Sequence, residues 1–476
     1  MLFNSWIFLL FLLLFFVGYW FVFAKKVKLQ NAFIAISSFI FYGWWDWHFL
    51  LLLLLSVVVD FSVGYFLEQT NNEPKRKALI VFSVVFNIGL LMFFKYYNFF
   101  AESAKNFAAS LGFDLDIVTL KIILPVGISF YTFQSLSYTI EVYKRKLKGT
   151  SDIFSYAAFI SFFPQLVAGP IERAANMLPQ FYKPRTFSYA NNVKGLRLIL
   201  WGLFKKVVVA DTCAGYANSI FNNQAQYHGI FLIMGAIYFS FQIYGDFSGY
   251  TDIARGLGKM FGFDLKINFM YPYFSRNIAE FWRRWHISLS SWFRDYLYIP
   301  LGGSLGSKAK TIRNTLIVFL VSGFWHGANF TFIIWGTIHA LCYIPLLIMN
   351  KHKSNNNTVA ENRSFPSIIE LLQMFGTFVI VCLAWIFFRA ENINAAFNYI
   401  QKIFVFKGNF GIIGKSDALP FIFIMVLVDW IGRKNESALD GLVTRFPAWR
   451  YMFYFIIAIM VYLFFSNQQE FIYFQF

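Results

Sequence analysis

"IFLLFLLLFF" at residues 7–16 decides the fold class of this chain. A strand that crosses a bilayer alternates apolar and polar side chains over about ten residues, and this run has no alternation. It lies within residues 6–24, a window close to the roughly 20 apolar residues that carry a helix across a hydrocarbon core. Further apolar windows follow at 48–66, 78–94, 231–242, 375–388 and 451–465. Of the 476 residues, 58% are hydrophobic, 22% aromatic and 14% charged, with a mean hydropathy of +0.54. Soluble domains run at about 45–50% apolar and about 25% charged. The expectation is an all-α, polytopic transmembrane helical bundle of about 11–13 spans or partial spans, with re-entrant and interfacial amphipathic helices.

The first segment has no basic n-region and no small-residue cleavage site, so it reads as a retained span and not a cleaved signal peptide. The net charge of +17 is explained by the excess of Lys and Arg that polytopic proteins keep on the cytosolic side, and implies no nucleic-acid partner. Lys25, Lys26 and Lys28 follow the first span, Lys75, Arg76 and Lys77 the third, and Lys144, Arg145, Lys146 and Lys148 the fifth. Placing each cluster in the cytosol puts the N-terminus outside. Cys213, Cys342 and Cys382 are scattered, giving neither a disulfide framework nor a zinc signature. No repeat or soluble domain is visible, and "KHKSNNNTVAENRS" at 351–364 reads as a polar loop, so residues 1–476 are expected to form a single membrane domain. The breaker-rich stretch 151–170, ending "FFPQLVAGP", predicts a re-entrant or broken element, and Lys205 and Lys206 make 195–217 a poor lipid-facing span. The non-cytosolic connections, at 98–121, 218–228 and 392–415, are all shorter than the ~50 residues of a small domain.

Residues 252–313 stand apart: ten basic residues face four acidic ones, a net +6, which marks a cytosolic or interfacial segment. Inside it, "SRNIAEFWRRWHISLSSWFRDYLYIPLGGS" at 275–304 reads as one helix. Asn277 and Glu280 have capping-box spacing, and Pro300, Gly302 and Gly303 close the element. Trp282, Trp285, Leu289, Trp292 and Tyr296 form an aromatic stripe away from Arg283, Arg284 and Arg294, as suits a helix lying in the interface.

"LIVFLVSGFWHGANFTFIIWGTIHA" at 316–340 places His326 in an apolar run. An ionisable group in a membrane segment is a functional hypothesis by default. Counted from Arg313, His326 lies roughly 20 Å in, near the middle of a core about 30 Å thick. Gly323 and Gly327 leave room beside it for a ligand or a neighbouring helix. Desolvation disfavours a charged imidazole, and a neutral imidazole is what a general base needs. His326 and His339 are about 220° apart on an ideal helix, so they are not the same-face pair of a zinc site, and no metal is expected. "YGDFSGYTDIARG" at 244–256 gathers Asp246, Ser248, Tyr250 and Asp252 at the end of an apolar span, to bind a polar ligand or to cap the helix.

These motifs together, with "LPVGISFYTFQSLSYTIEVYK" at 124–144 and "FFPQLVAGPIER" at 162–173, resemble the membrane-bound O-acyltransferase (MBOAT) family. The similarity is to its bacterial branch containing the alginate O-acetylation membrane protein. The resemblance implies acyl transfer from a cytosolic thioester to a hydroxyl, with His326 of "WHG" as the catalytic residue and His286 of "RWHISLS" as the second important polar position. It makes Asp246, Ser248, Tyr250, Arg283, Arg284, Trp285, Ser288, Arg294, Asp295, Trp325 and Asn329 candidates for substrate or donor contact, the arginines facing an anionic carrier. No permanent cofactor is implied. Acetyl-CoA or another acyl thioester is the donor, an exported polysaccharide and an extracytoplasmic acetyltransferase protein are the partners, and the bacterial inner membrane is the location. D-alanyl transfer to teichoic acid is an alternative within the family. A secondary transporter or flippase is one outside it, disfavoured because no inverted repeat is apparent.

Overall fold

In hydrocarbon each backbone N–H and C=O needs a partner within its own segment, and long apolar runs supply one as helices. The computed structural model describes residues 1–405, 417–465 and 469–472, and no strand occurs among them. Among the described residues six helices are long and apolar enough to cross a membrane: Trp47–Gln69, Glu73–Ser110, Ile230–Met260, Phe330–Ile348, Ile368–Arg389 and Pro447–Phe464. Trp6–Val22 and Ala418–Gly432 are shorter apolar helices. The chain is therefore an all-α, multi-pass membrane protein. Part of the connection expected at 392–415 is the helix Ile393–Ile403, and residues 406–416 lie outside the described residues.

Contacts group the chain into two compact units, Met1–Gly195 with Ala254–Lys266, and Leu196–Ile253 with Ile267–Phe476. The basic segment 252–313 is thereby shared between them, since its residues 254–266 fold with the first unit.

In the first unit the helix Ile128–Tyr143 is buried along nearly its whole length although rich in Ser and Thr. One of its hydroxyls, that of Thr139, joins a polar cluster: Ser83 Oγ lies 2.7 Å from Asp60 Oδ1 and 3.0 Å from Thr139 Oγ1, and Asn87 Nδ2 reaches both Asp60 oxygens. A carboxylate in a span is tolerable only with such partners. Arg76, placed in the cytosol from sequence, donates to the carbonyls of Val142 and Tyr143 at the end of that helix, satisfying acceptors the ladder leaves open. The broken element expected at 151–170 is present: Ile153–Ser161 stops at Phe162, a short turn follows over Phe163–Leu166, and Ser155–Leu166 is buried by protein.

In the second unit, Lys205 and Lys206 lie in a π-helical stretch, Phe204–Ala210, and are buried. Lys206 Nζ sits 2.8 Å from Asp211 and 2.9 Å from Asp246, and donates to the Gln469 carbonyl. Lys205 pairs with Asp252 and donates to Ser248 Oγ. This explains why 195–217 tolerates two lysines. The helices Lys308–His326 and Phe330–Ile348 form a hairpin at whose crossing Gly323 and Gly336 meet. A Cβ on Gly323 would run into the Phe332 carbonyl, and one on Gly336 into that of Phe319. The space beside His326 is thus taken by the neighbouring helix, and Gly327 likewise faces the Phe332 ring.

Candidate active site

The single helix expected over 275–304 is two short helices, Ile278–Arg284 and Ile287–Phe293, followed by a π-turn at Arg294–Tyr298. The break falls at His286, whose backbone is left-handed, with φ +44°, a conformation that a helix cannot contain. The strand-like neighbour 268–270 stabilises the break. Ile287 N donates to the Asn268 carbonyl and Met270 N to that of Arg284, while Asn268 Oδ1 accepts from both the backbone N and the Oγ of Ser288. Spacing alone cannot show this competitor for the ladder, because it comes from a preceding loop. The expected start is correct in part: Asn277 Oδ1 accepts from Glu280 N at 2.8 Å, but Glu280 turns to the backbone and guanidinium of Arg276 instead of closing the box. Trp285, Leu289 and Trp292 of the stripe are buried, so the face was right where the continuity was not.

The break carries His286 inward. It is fully buried, its Nδ1 lies 3.3 Å from Asn268 Oδ1, and its ring meets Phe247 edge-on at 4.7 Å. It lies outside the six apolar spans, and burial pushes its pKa down to about 3. On its other side is Trp325, at 6.3 Å, which in turn touches His326 at 4.9 Å. The two histidines singled out from sequence, 40 residues apart in number, therefore flank one indole.

His326 is the last residue of its helix, 4% exposed, and is boxed by Trp325, Trp335 and Phe388, with ring centroids at 4.9–5.3 Å. Because the chain turns at Gly327, the 220° separation from His339 does not apply. The two residues are on different helices, and both rings pack on Trp335. Among the described residues no group of three or more His, Cys, Asp or Glu could hold a metal.

One helical turn before His326, Ser322 lines a cavity of about 510 Å³ whose other walls include Trp282, Arg283, Ser290, Arg294 and Tyr343. Of the remaining candidates, Asp246 is engaged by Lys206 and accepts from Ile472 N at 2.7 Å, and Ser248 is held by Lys205. Tyr250 lies 5.3 Å from the Phe471 ring. Arg284 is paired with buried Glu280, Arg283 donates to the carbonyls of His352, Ser354 and Asn355, and Arg294 pairs with Asp295. Asn329 caps Phe330–Ile348 through Thr331 N. Trp285 stacks in the core on Phe281. Sequence reasoning missed Asn268, whose only signal is an amide in an otherwise apolar stretch, and the ion-pair partner Asp211.

An all-α membrane fold with a buried histidine at a helix-hairpin turn defines a class, and comparison names it. Residues 36–389 match the membrane-bound O-acyltransferase family, and the chain belongs to that family. It is an O-acyltransferase. A "Probable alginate O-acetylase AlgI" of Pseudomonas aeruginosa is 38% identical over 407 residues, covering 85% of this chain and 75% of that protein. A peptidoglycan O-acetyltransferase of Helicobacter pylori is 37% identical over 445 residues, covering 87% and 81%. A teichoic acid D-alanyltransferase of Bacillus subtilis is 31% identical over 278 residues, covering 56% and 69%.

Proposed function

We propose that this O-acyltransferase moves an acetyl group from a cytosolic acyl thioester, acetyl-CoA being the simplest, to a hydroxyl of an exported polysaccharide or of an extracytoplasmic partner protein. His326 is the general base. It takes the hydroxyl proton as the oxygen attacks the thioester carbonyl; the C–S bond then breaks, and the thiolate leaves with the proton returned by His326. His286, kept neutral by burial, is the second imidazole of the centre. The observation that carries the reading is the placement of both histidines around Trp325, one turn from a cavity with Arg283 and Arg294 in its wall. Acetyl is favoured over D-alanyl because the two O-acetylating relatives cover 85% and 87% of this chain and the D-alanyl relative 56%.

The protein sits in the bacterial inner membrane with its N-terminus outside, as the basic clusters indicate, and the donor enters from the cytosol. With short outer connections, the acceptor is presented by a separate protein. Oriented vesicles test this. Radiolabelled acetyl-CoA confined to the cytosolic face should label a polysaccharide or partner supplied only at the opposite face. Labelling only when donor and acceptor share a side removes the relay across the membrane. Turnover with a D-alanyl carrier and none with acetyl-CoA shifts the reading to the teichoic-acid branch.

A further inference from the structure

His339 has no task in the chemistry above, yet it is fully buried and, among the described residues, neither of its ring nitrogens has a hydrogen-bond partner. It is packed entirely by rings: Phe281 lies parallel at 6.0 Å, Trp282 meets it edge-on at 5.1 Å and Trp335 at 4.9 Å. The indole Nε1 atoms of Trp282 and Trp335 are equally buried and without partners among the described residues. Trp335 contacts Trp282, Trp385, His339 and His326, at 5.7, 5.6, 4.9 and 5.0 Å respectively. Trp282 is at the same time a wall of the cavity. Ring contacts thus run without interruption from the cavity through Trp282 and Trp335 to His326.

A buried polar group left unsatisfied is destabilising, and native proteins keep few of them. Three such side chains, His339, Trp282 and Trp335, in one cluster call for a guest. Its chemistry follows from theirs: an indole N–H only donates, and a neutral imidazole donates once and accepts once. The guest must therefore be rich in acceptors, carry a donor, and be uncharged, because the surrounding rings offer no counter-ion. A thioester followed by the amides of a pantetheine arm has that pattern of carbonyl oxygens and N–H groups.

We propose that His339 and Trp335 form a hydrogen-bonding subsite for the carbonyls of the acyl-thioester arm, between the cavity and His326. This rests on the acyl-transfer reading and adds two residues that contact the donor. Removing one donor aimed at a reacting carbonyl costs ~10²-fold or more in turnover, whereas replacing an unsatisfied polar group by an apolar one of similar shape costs no stability.

The test uses the full-length protein in detergent with acetyl-CoA as the probe, and follows both thioester turnover and the thermal midpoint. His339→Phe and Trp335→Phe keep an aromatic ring while removing the nitrogens. His339→Phe should unfold at or above the wild-type midpoint, both variants should lose at least tenfold in kcat/KM, and His339→Gln should regain part of the loss. Wild-type kcat/KM in both Phe variants means that only water fills the site, and overturns the subsite. A lowered midpoint in His339→Phe makes the imidazole structural and does the same. Wild-type protein that turns over no acyl thioester overturns the acyl-transfer reading itself, a different result from an active wild type with indifferent variants.

Discussion

The second unit buries two polar centres, and they are built on opposite rules. Around Lys206, each charge meets an opposite one: Asp211 and Asp246 at 2.8 and 2.9 Å, with Gln469 O and Ile472 N completing the set. Around His326, rings replace ions, and beside it the Trp335 indole and the His339 imidazole have nitrogens without hydrogen-bond partners among the described residues. Desolvated ions need all their partners in place to be tolerated. Neutral N–H groups can be left open at a modest cost, so that a substrate supplies the missing acceptor. The contrast is between charges paired to hold the structure and neutral donors left open beside His326.

The largest effect expected is on the second centre. His326→Ala should lower acyl transfer by ~10²–10⁴-fold, the usual worth of a general base, while the amount of folded protein stays close to wild type. Activity measured per folded molecule decides it, and full activity in the variant would remove His326 from the mechanism. Lys206→Met should behave in the reverse way. It leaves two carboxylates buried together, and breaking a buried pair from one side costs about 3–5 kcal/mol, so folded protein and thermal midpoint should fall first. A Lys206→Met protein as stable as wild type but inactive would move the ionic centre to the functional side of the comparison.

The contrast also separates what could be read from sequence. Composition and apolar runs decide the helical membrane fold because both act over many residues. Asn277 announces the start of its helix because a cap is local. His326 and His286 were legible as candidates, but not their convergence on Trp325, because a left-handed residue at 286 and a pairing with Asn268 reverse the chain between them. Lys205 and Lys206 were visible as misfits in an apolar stretch. Their partners were not, since Asp246 lies on another helix, and Asp211, though near in sequence, is brought to Lys206 by a π-helical turn. The angle between His326 and His339 was misjudged, because Gly327 ends the ideal helix on which it was counted.

A smaller effect follows from acid. Buried His286 stays neutral in the folded protein down to about pH 3, whereas unfolded it takes up a proton below its ordinary value of 6.5. The unfolded state thus binds more protons between those values, and stability rises with pH across that window. At pH 5 the wild type should have lost about 2 kcal/mol from this one group relative to pH 7. His286→Gln should lose that part of its acid sensitivity, read as a flatter dependence of thermal midpoint on pH. An unchanged slope would place the acid-sensitive group elsewhere.

The smallest effect is expected at the cavity wall, where exposure weakens charge. Arg283 donates to three loop carbonyls and Arg294 pairs with Asp295, both at the surface. Neither is desolvated like Lys206, so neither should hold the fold, and exposed pairs are worth at most about 1 kcal/mol. Both line the cavity into which an anionic carrier would feed its thioester. The double variant Arg283→Ala, Arg294→Ala should raise the KM for acetyl-CoA several-fold, leave kcat near wild type, and lose most of the salt dependence of kcat/KM, because attraction between exposed charges is screened beyond ~8–10 Å at moderate ionic strength. An unchanged KM with less protein inserted in the membrane would make these arginines topology signals. A fallen kcat would bring them into the same class as His339, as groups that touch the reacting arm.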